Sequence, residues 1–325
     1  MTHDNKQNIQ QNIEHTLIIP DELGGMRLDQ ALTKLLPDYS RTQIQDWIKE
    51  AHILVNGNAS KARERVLGGE TIHLTAVRKE QPQWEAQPIT LDIVYEDEAL
   101  LVINKPVGMV VHPAAGNPNN TLLNALLHHA PALQSLPRAG IIHRLDKDTS
   151  GLLVIAKTHN ALSNLSLQMK KRTITRIYQA VVNGIMLSGG TVDKPIGRHP
   201  IQRKRMAIMD NGKPAITHFR LIERFRDHTR IKIQLETGRT HQIRVHMASI
   251  RHPIVGDQVY AGRLQLPKGA SPALIKALRE FKHQALHACE LGLTHPVTHQ
   301  QMSWQAPLPD DMQALIATLK EDTEQ

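Results

Sequence analysis

The sequence predicts an α+β protein in two parts: a small module of two helices and short hairpins, then a larger strand-rich domain carrying helices. Three observations predict it. Residues 27–48 place apolar side chains at the 3.6-residue spacing of helices. Residues 77–88, VRKEQPQWEAQP, hold two prolines and mixed charge without periodicity, the composition of a linker. From Ile89 onward, short β-branched runs replace the helical spacing. The predicted division is a disordered tail over 1–15, a module over 16–76, a linker over 77–88, a domain over 89–317 and a polar tail over 318–325.

The elements follow in order. Residues 1–15 are rich in Gln and Asn and read as disordered. Thr16–Ile19 is a short strand. Leu28, Ala31, Leu32, Leu35 and Leu36 form one face of a helix that Pro37 stops. Ser40 and Gln43 fit a capping box for a second helix, with Ile44, Trp47 and Ile48 as its apolar side. Ile53–Val55 is a strand ending at Asn56-Gly57, a hairpin turn, and Gly68-Gly69 turns the chain into the strand Thr71–Leu74. Arg27, Arg41 and Lys61 belong to a basic set spread over this module's polar positions, either a solvated face or contacts to an anionic partner.

In the larger domain, Ile93–Tyr95 and Leu100–Ile103 read as a hairpin, Thr121–His129 and Ala161–Lys171 as helices, and Arg176-Ile177-Tyr178 as the start of a strand. Residues 197–213 hold Arg198, Arg203 and Arg205 in a basic loop, a clamp for nucleic acid or a solubilising loop. Residues 229–246 alternate and read as a hairpin turning at Gly238. On that reading His241 and His246, five apart on a strand, face opposite ways and cannot share one metal ion. Residues 272–281 read as a surface helix, and Leu286-His287-Ala288 as lying near the end of the sheet.

The densest polar segment is HRLDKDTSG, residues 143–151, set between Ile141-Ile142 and the run Leu152–Ala156. A polar loop held by two buried strands is a place where folds present chemistry. Asp146 stands two residues from Arg144 and three from His143, and nearby positive charge favours the carboxylate form. That suits a nucleophile or a base better than an acid. On spacing alone, the segment is equally a surface turn with a structural Arg–Asp pair.

The net charge of +8 favours a polyanionic partner, nucleic acid first. No apolar run approaches the roughly 20 residues of a membrane span. The N-terminus lacks the apolar stretch of a signal peptide. One cysteine, Cys289, leaves no disulfide framework and no cysteine-based zinc site. A cytoplasmic protein acting on nucleic acid fits these features. Aromatic residues are only 3 % of the chain, so any stacking on bases rests on few side chains.

HRLDKDTSG resembles, without a gap, the catalytic motif of the RluA family of pseudouridine synthases. TGRTHQIRVH at 237–246 and HPIVGDQVYAG at 252–262 are similar to later motifs of that family. The stretch from RLDQAL to HILVNG resembles the S4-type RNA-binding domain. VLGGE, LPKGAS and HQALHA make the chain most similar to the family's D type, which acts on large-subunit ribosomal RNA.

The resemblance implies a catalytic domain with a central mixed, mainly antiparallel β-sheet flanked by helices. It implies isomerisation of selected uridines in 23S rRNA to pseudouridine, free or within the assembling subunit, with no cofactor and no metal; the chain is expected to act as a monomer, although the sequence leaves its oligomeric state open. It gives Asp146 as the catalytic carboxylate, nucleophile at C1′ or base at C2′, with Arg244 paired to it. Tyr178 stacks on the target base. Arg144 fills the space left by the flipped uridine, with His143 beside it, and Arg239 is a candidate for phosphate. Tyr178 by residue type alone is a packing residue. A glycoside hydrolase would need a second, acidic carboxylate, and nothing marks Asp148 as one. The other class is a non-catalytic RNA-binding ribosome assembly factor, against which the intact set of Asp146, Tyr178 and Arg244 argues.

Overall fold

The computed structural model describes residues 12–37, 39, 41–77, 84–114, 116–203 and 205–324. The chain divides into two compact units, at Gln83/Trp84.

The first unit contains β1 (Asn12–Ile18), α1 (Leu28–Leu35), α2 (Arg41–Lys49), β2 (Ile53–Val55), β3 (Asn58–Ala59) and β4 (Thr71–Val77). The strands form an antiparallel sheet in the order β1-β4-β2-β3. Leu28, Ala31 and Leu32 of α1 and Ile44, Trp47 and Ile48 of α2 pack with Ile53, Ile72 and Leu74 in one core. Asn56 and Gly57 both take positive φ, 49° and 78°, the backbone of the predicted two-residue turn. The tail expected over 1–15 is corrected at its end: residues 12–15 belong to β1, which pairs along its whole length with β4. Polar residues on its open face hide the single buried anchor, Ile13, in the sequence. Residues 1–11 and Ser40 of the expected capping box lie outside the described residues.

The fixed point of this unit is Asp29, wholly buried in α1. Arg27 donates to it through Nε at 3.0 Å and Nη2 at 3.1 Å, Arg41 through Nη2 at 2.7 Å, and Gln45 adds a third donor. Burial pushes this carboxyl up, but the donors outweigh it and bring the pKa down to about 2.

The second unit is built on a nine-stranded sheet. Its first elements are β5 (Ile93–Glu96), β6 (Leu100–Lys105), α3 (Leu122–His129), β7 (Ser150–Ala156), α4 (His159–Lys171) and β8 (Thr175–Asn183). Then come β9 (Gly190–Asp193), β10 (Ile196–Arg198), β11 (Met206–Ile208), β12 (Ile216–Arg224), β13 (His228–Leu235) and α5 (Gln242–Ser249). The unit closes with α6 (Pro272–Glu280), β14 (Leu286–Thr294), β15 (Gln301–Gln305) and α7 (Asp310–Glu324). The order is β5-β6-β7-β14-β8-β13-β12-β9, with β15 also on β14, and only the β7–β14 pair is parallel. β10 and β11 form a separate two-stranded ribbon.

Every residue of β7 is buried, so both sheet faces are covered there. Leu153 and Ile155 join the core with α3, while Leu152 and Val154 join the core with Leu165 of α4. Gly151 has φ +113°, and a Cβ on it would stand 2.3 Å from the carbonyl oxygen of Ala288. Only glycine lets β14 approach β7 that closely.

Several expectations change. Ile141 makes only an isolated bridge to Ile155, so no full strand precedes the polar loop. Leu286–Ala288 opens β14, in the middle of the sheet rather than near its end. Of the expected polar tail at 318–325, residues 318–324 are the last part of α7, with Leu319 and Asp322 buried, and the backbone N–H of Ser271 donates to Asp322 at 2.6 Å; residue 325 lies outside the described residues. Of the expected linker, residues 78–83 lie outside the described residues. Glu85 and Gln87 are fastened to α3 through Asn124, at 2.7 and 3.0 Å.

The largest correction is the expected hairpin over 229–246. β13 is its first strand, but the return is the helix α5. Ile243 and Val245 are β-branched and alternate, which suggested a strand. Every residue from Gln242 to Met247 is buried, so the helical period leaves no polar face to reveal it.

Candidate active site

Four segments meet at Asp146. The first is the loop 143–149 leading into β7. Its backbone is fixed from outside: Lys105, wholly buried at the end of β6, donates to the carbonyls of Pro106 at 2.8 Å, Met109 at 3.0 Å and Lys147 at 3.0 Å. Gln284 donates to Thr149 at 2.9 Å, and Ser150 bonds His287 at 2.9 Å. Burial brings the Lys105 ammonium down to about 8, partly opposed by the charges of Asp148 and Asp146.

The second segment is α5, which delivers Arg244. Its Nη1 donates to Asp146 Oδ2 at 3.0 Å. The third is the turn at 252–262. Asp257 grips Arg244 in a two-pronged pair, Nε–Oδ2 2.7 Å and Nη2–Oδ1 2.9 Å, and itself accepts the N–H groups of Val259 and Tyr260 at 2.8 and 3.0 Å. Such a fork fixes direction as well as charge. Burial opposes the guanidinium's charge, but the hydrogen bonds and charge of Asp257, with Asp146 adding to them, hold Arg244 well above its ordinary range. Burial likewise raises the Asp257 carboxyl, and Arg244 more than reverses it. The side chain of Asp257 is wholly buried, whereas that of Asp146 keeps 15 % of its surface open, so Asp146 is the accessible carboxylate of the two.

Because α5 is a helix, His241 at its N-cap lies on the same side as Arg244, three residues on. His241 Nε2 stands 3.9 Å from Asp146 Oδ1, and its Nδ1 meets the Tyr260 hydroxyl at 2.8 Å. His246 points elsewhere, to Thr217 at 2.9 Å and the Lys194 carbonyl at 3.0 Å. The guanidinium of Arg244 lies 5.0 Å from the Tyr260 ring centre.

The fourth segment is β8. Tyr178 is buried between Ala288 of β14 and Ile233 of β13. Burial pushes its phenol up, Arg176 pulls it down, and Asp146 pushes it up again, so the ring sits within the field of both.

The other predicted residues divide. Arg144 is exposed beside Asp146. His143 turns inward, its Nε2 accepting from Val154 N at 3.4 Å and its Nδ1 buried without a partner. Burial, then the charge of Arg176, brings it down to about 3, so it is neutral and structural rather than a surface contact. Arg239 is half-buried and donates to the Pro214 carbonyl at 3.1 Å. Arg198 and Arg203 are exposed in the β10–β11 ribbon, whereas Arg205 lies over Tyr260, 5.3 Å from its ring centre. Arg27 and Arg41 are bound to Asp29, and Lys61 is exposed. Sequence reasoning missed Asp257, Tyr260, His241 as a neighbour of Asp146, and Lys105. Asp257 and Tyr260 were visible only as letters within a motif.

A buried arginine, fixed by one carboxylate and presented to a second, partly exposed one, with a buried tyrosine within the field of that second carboxylate, defines a site for carboxylate chemistry. The sequence model of the RNA pseudouridylate synthase family matches residues 99–249, and that of the S4 domain matches residues 26–72. The chain belongs to the RNA pseudouridylate synthase family, and is an isomerase. It is 54 % identical over 316 residues to ribosomal large subunit pseudouridine synthase D of Escherichia coli strain K12, covering 97 % of each chain. It is 52 % identical over 312 residues to the protein of the same name from Pseudomonas aeruginosa, covering 96 % of this chain and 98 % of that one. Among solved structures, human RNA pseudouridylate synthase domain containing 4 is similar, with TM-score 0.55 and 26 % identity over 70 % of this chain and 92 % of that one.

Proposed function

We propose that this chain isomerises specific uridines of 23S rRNA to pseudouridine, with Asp146 as the catalytic carboxylate. The observation that carries this reading is the fork Asp257–Arg244, which aims one guanidinium N–H at Asp146 Oδ2 over 3.0 Å while the Asp146 side chain keeps 15 % of its surface exposed. An accessible carboxylate is what attack at C1′ or proton removal at C2′ requires. The target uridine leaves its stack to reach Asp146, at a cost of a few kcal/mol. Tyr178 supplies the face on which the base rests, and exposed Arg144 takes the vacated place in the RNA. Arg239 and the exposed Arg198, Arg203 and Lys61 are the candidates for phosphate contact. The large-subunit substrate is supported by the names of the bacterial relatives, and a cytoplasmic enzyme accords with that substrate.

The test is tritium release from 23S rRNA labelled with 5-³H-uridine, for the wild type and Asp146→Asn together. Release by the wild type alone, with the RNA chain intact, supports the reading. Tight binding without release from either would leave an assembly factor. Release from both would mean that another group is the catalyst.

A further inference from the structure

Arg176 is 5 % exposed, in β8, two residues before Tyr178. The two side chains therefore leave the same strand face, their backbones about 7 Å apart. Its Nε is buried without a hydrogen-bond partner, and among the described residues no carboxylate lies within ion-pair distance of it. A buried cation lacking a counter-charge costs several kcal/mol, unlike Arg244, which is held by two carboxylates.

Among the described residues, no neighbour forms an ion pair with it. Across the sheet it faces Leu291 of β14. From the loop between β13 and α5 comes Gly238, where a Cβ would stand 2.7 Å from Arg176 Nη1, so that this glycine leaves room for the guanidinium. From the catalytic loop comes His143, neutral and feeling the charge of Arg176. Beside it on the strand is Tyr178, acted on by Arg176 and Asp146 alike. A costly charge kept two residues from Tyr178, and acting on both Tyr178 and His143, marks a functional group.

We propose that Arg176 stabilises the uracil anion formed when the glycosidic bond breaks. This rests on the reading of Asp146 as the catalytic carboxylate. In that reaction the N1–C1′ bond breaks with both electrons retained by the base, which becomes uracilate, its charge spread over N1, O2 and O4. C1′ is satisfied either by a bond to Asp146 or by loss of the C2′ proton to Asp146. That bond is broken, or that proton returned, as C5 bonds to C1′; the C5 proton then leaves to solvent and N1 takes up a proton from solvent, which gives neutral pseudouridine. The base is anionic only between bond breaking and bond making. A rigid, desolvated guanidinium therefore acts on the transition state more than on bound uridine.

The test uses the full-length protein and 23S rRNA under single turnover, with Arg176→Met, Arg176→Lys and the Asp146→Asn control. Arg176→Met is expected to lower the saturating rate constant about 100-fold or more. RNA Kd should stay within about twofold, and Tm should be equal or higher, because an unpaired buried charge has gone. Arg176→Lys should fall between. On RNA carrying 5-fluorouridine, where fluorine takes up part of the anionic charge, the deficit should shrink to about tenfold, read as rearranged nucleoside after digestion. An equal deficit on both RNAs would overturn the proposal, as would a lowered Tm in both Arg176 variants. A raised Kd with a normal saturating rate would make Arg176 a phosphate contact and overturn it too. Inactive Asp146→Asn with wild-type rates for Arg176→Met defeats this inference alone, whereas active Asp146→Asn defeats the reading beneath it.

Discussion

At the scale of the residue, two aspartates show how one side chain serves opposite ends. Asp257 is enclosed and saturated by Arg244 and two backbone N–H groups, so it can only position. Asp146 shares the same arginine but keeps part of its surface exposed. Asp257→Asn removes the charge that fixes Arg244 inside the protein, a loss of about 3–5 kcal/mol for a broken buried pair. We expect the single-turnover rate on 23S rRNA to fall more than tenfold, with Tm lowered; an unchanged rate would show that Arg244 needs no such support. Asp29 sets a pH limit on the first unit. Its carboxyl is depressed to about 2, so its stabilisation is present above the ordinary aspartate value and is lost as pH falls through the folded one. Asp29→Asn should cost about 2 kcal/mol at neutral pH and flatten the acid unfolding of this unit between about pH 4 and 2, followed by circular dichroism. Asp146 and Arg144 were legible as a site because reactive residue types crowd within nine positions. Asp257 was not, since 111 positions separate it from Asp146 and its role exists only through Arg244.

At the scale of the element, the decisive object is the parallel contact between β7 and β14. It brings β7, which follows the loop 143–149, to within one strand of Tyr178 on β8. Gly151→Ala would place a methyl group 2.3 Å from the Ala288 carbonyl at a φ of +113°. We expect a loss of at least ~2 kcal/mol and weakened activity, checked by thermal melting and tritium release. Wild-type stability would mean that β14 can shift to admit the methyl group. The helix α5 matters equally. On a strand, His241 and Arg244 would have faced opposite sides; on a helix both reach Asp146. Its amphipathic pattern was unreadable because burial surrounds it, the condition under which spacing ceases to distinguish helix from strand.

At the scale of the whole molecule, the chain holds an S4-type unit and a synthase unit. Each has its own core. Among the described residues no helix is long and apolar enough to cross a membrane. Residues 84–325 alone should bind 23S rRNA more weakly and with a shallower dependence on salt, since fewer phosphates are neutralised. Their rate at saturating RNA should stay within about threefold of the intact chain. A collapse of that rate would show that the S4-type unit takes part in the chemistry.

The sequence by itself determined the two-part division, the α3 and α4 helices, most strands, and the crowding of reactive residue types around Asp146. These depend on local periodicity and on short runs of reactive residue types, which neighbouring letters carry. Only the tertiary structure decided that α5 is a helix, that β14 lies at the centre of the sheet, and that residues 318–324 are packed rather than loose. It alone showed Asp257 behind Arg244, and Arg176 buried without a counter-charge. Burial and pairing arise between residues far apart in the chain, so no local pattern can register them.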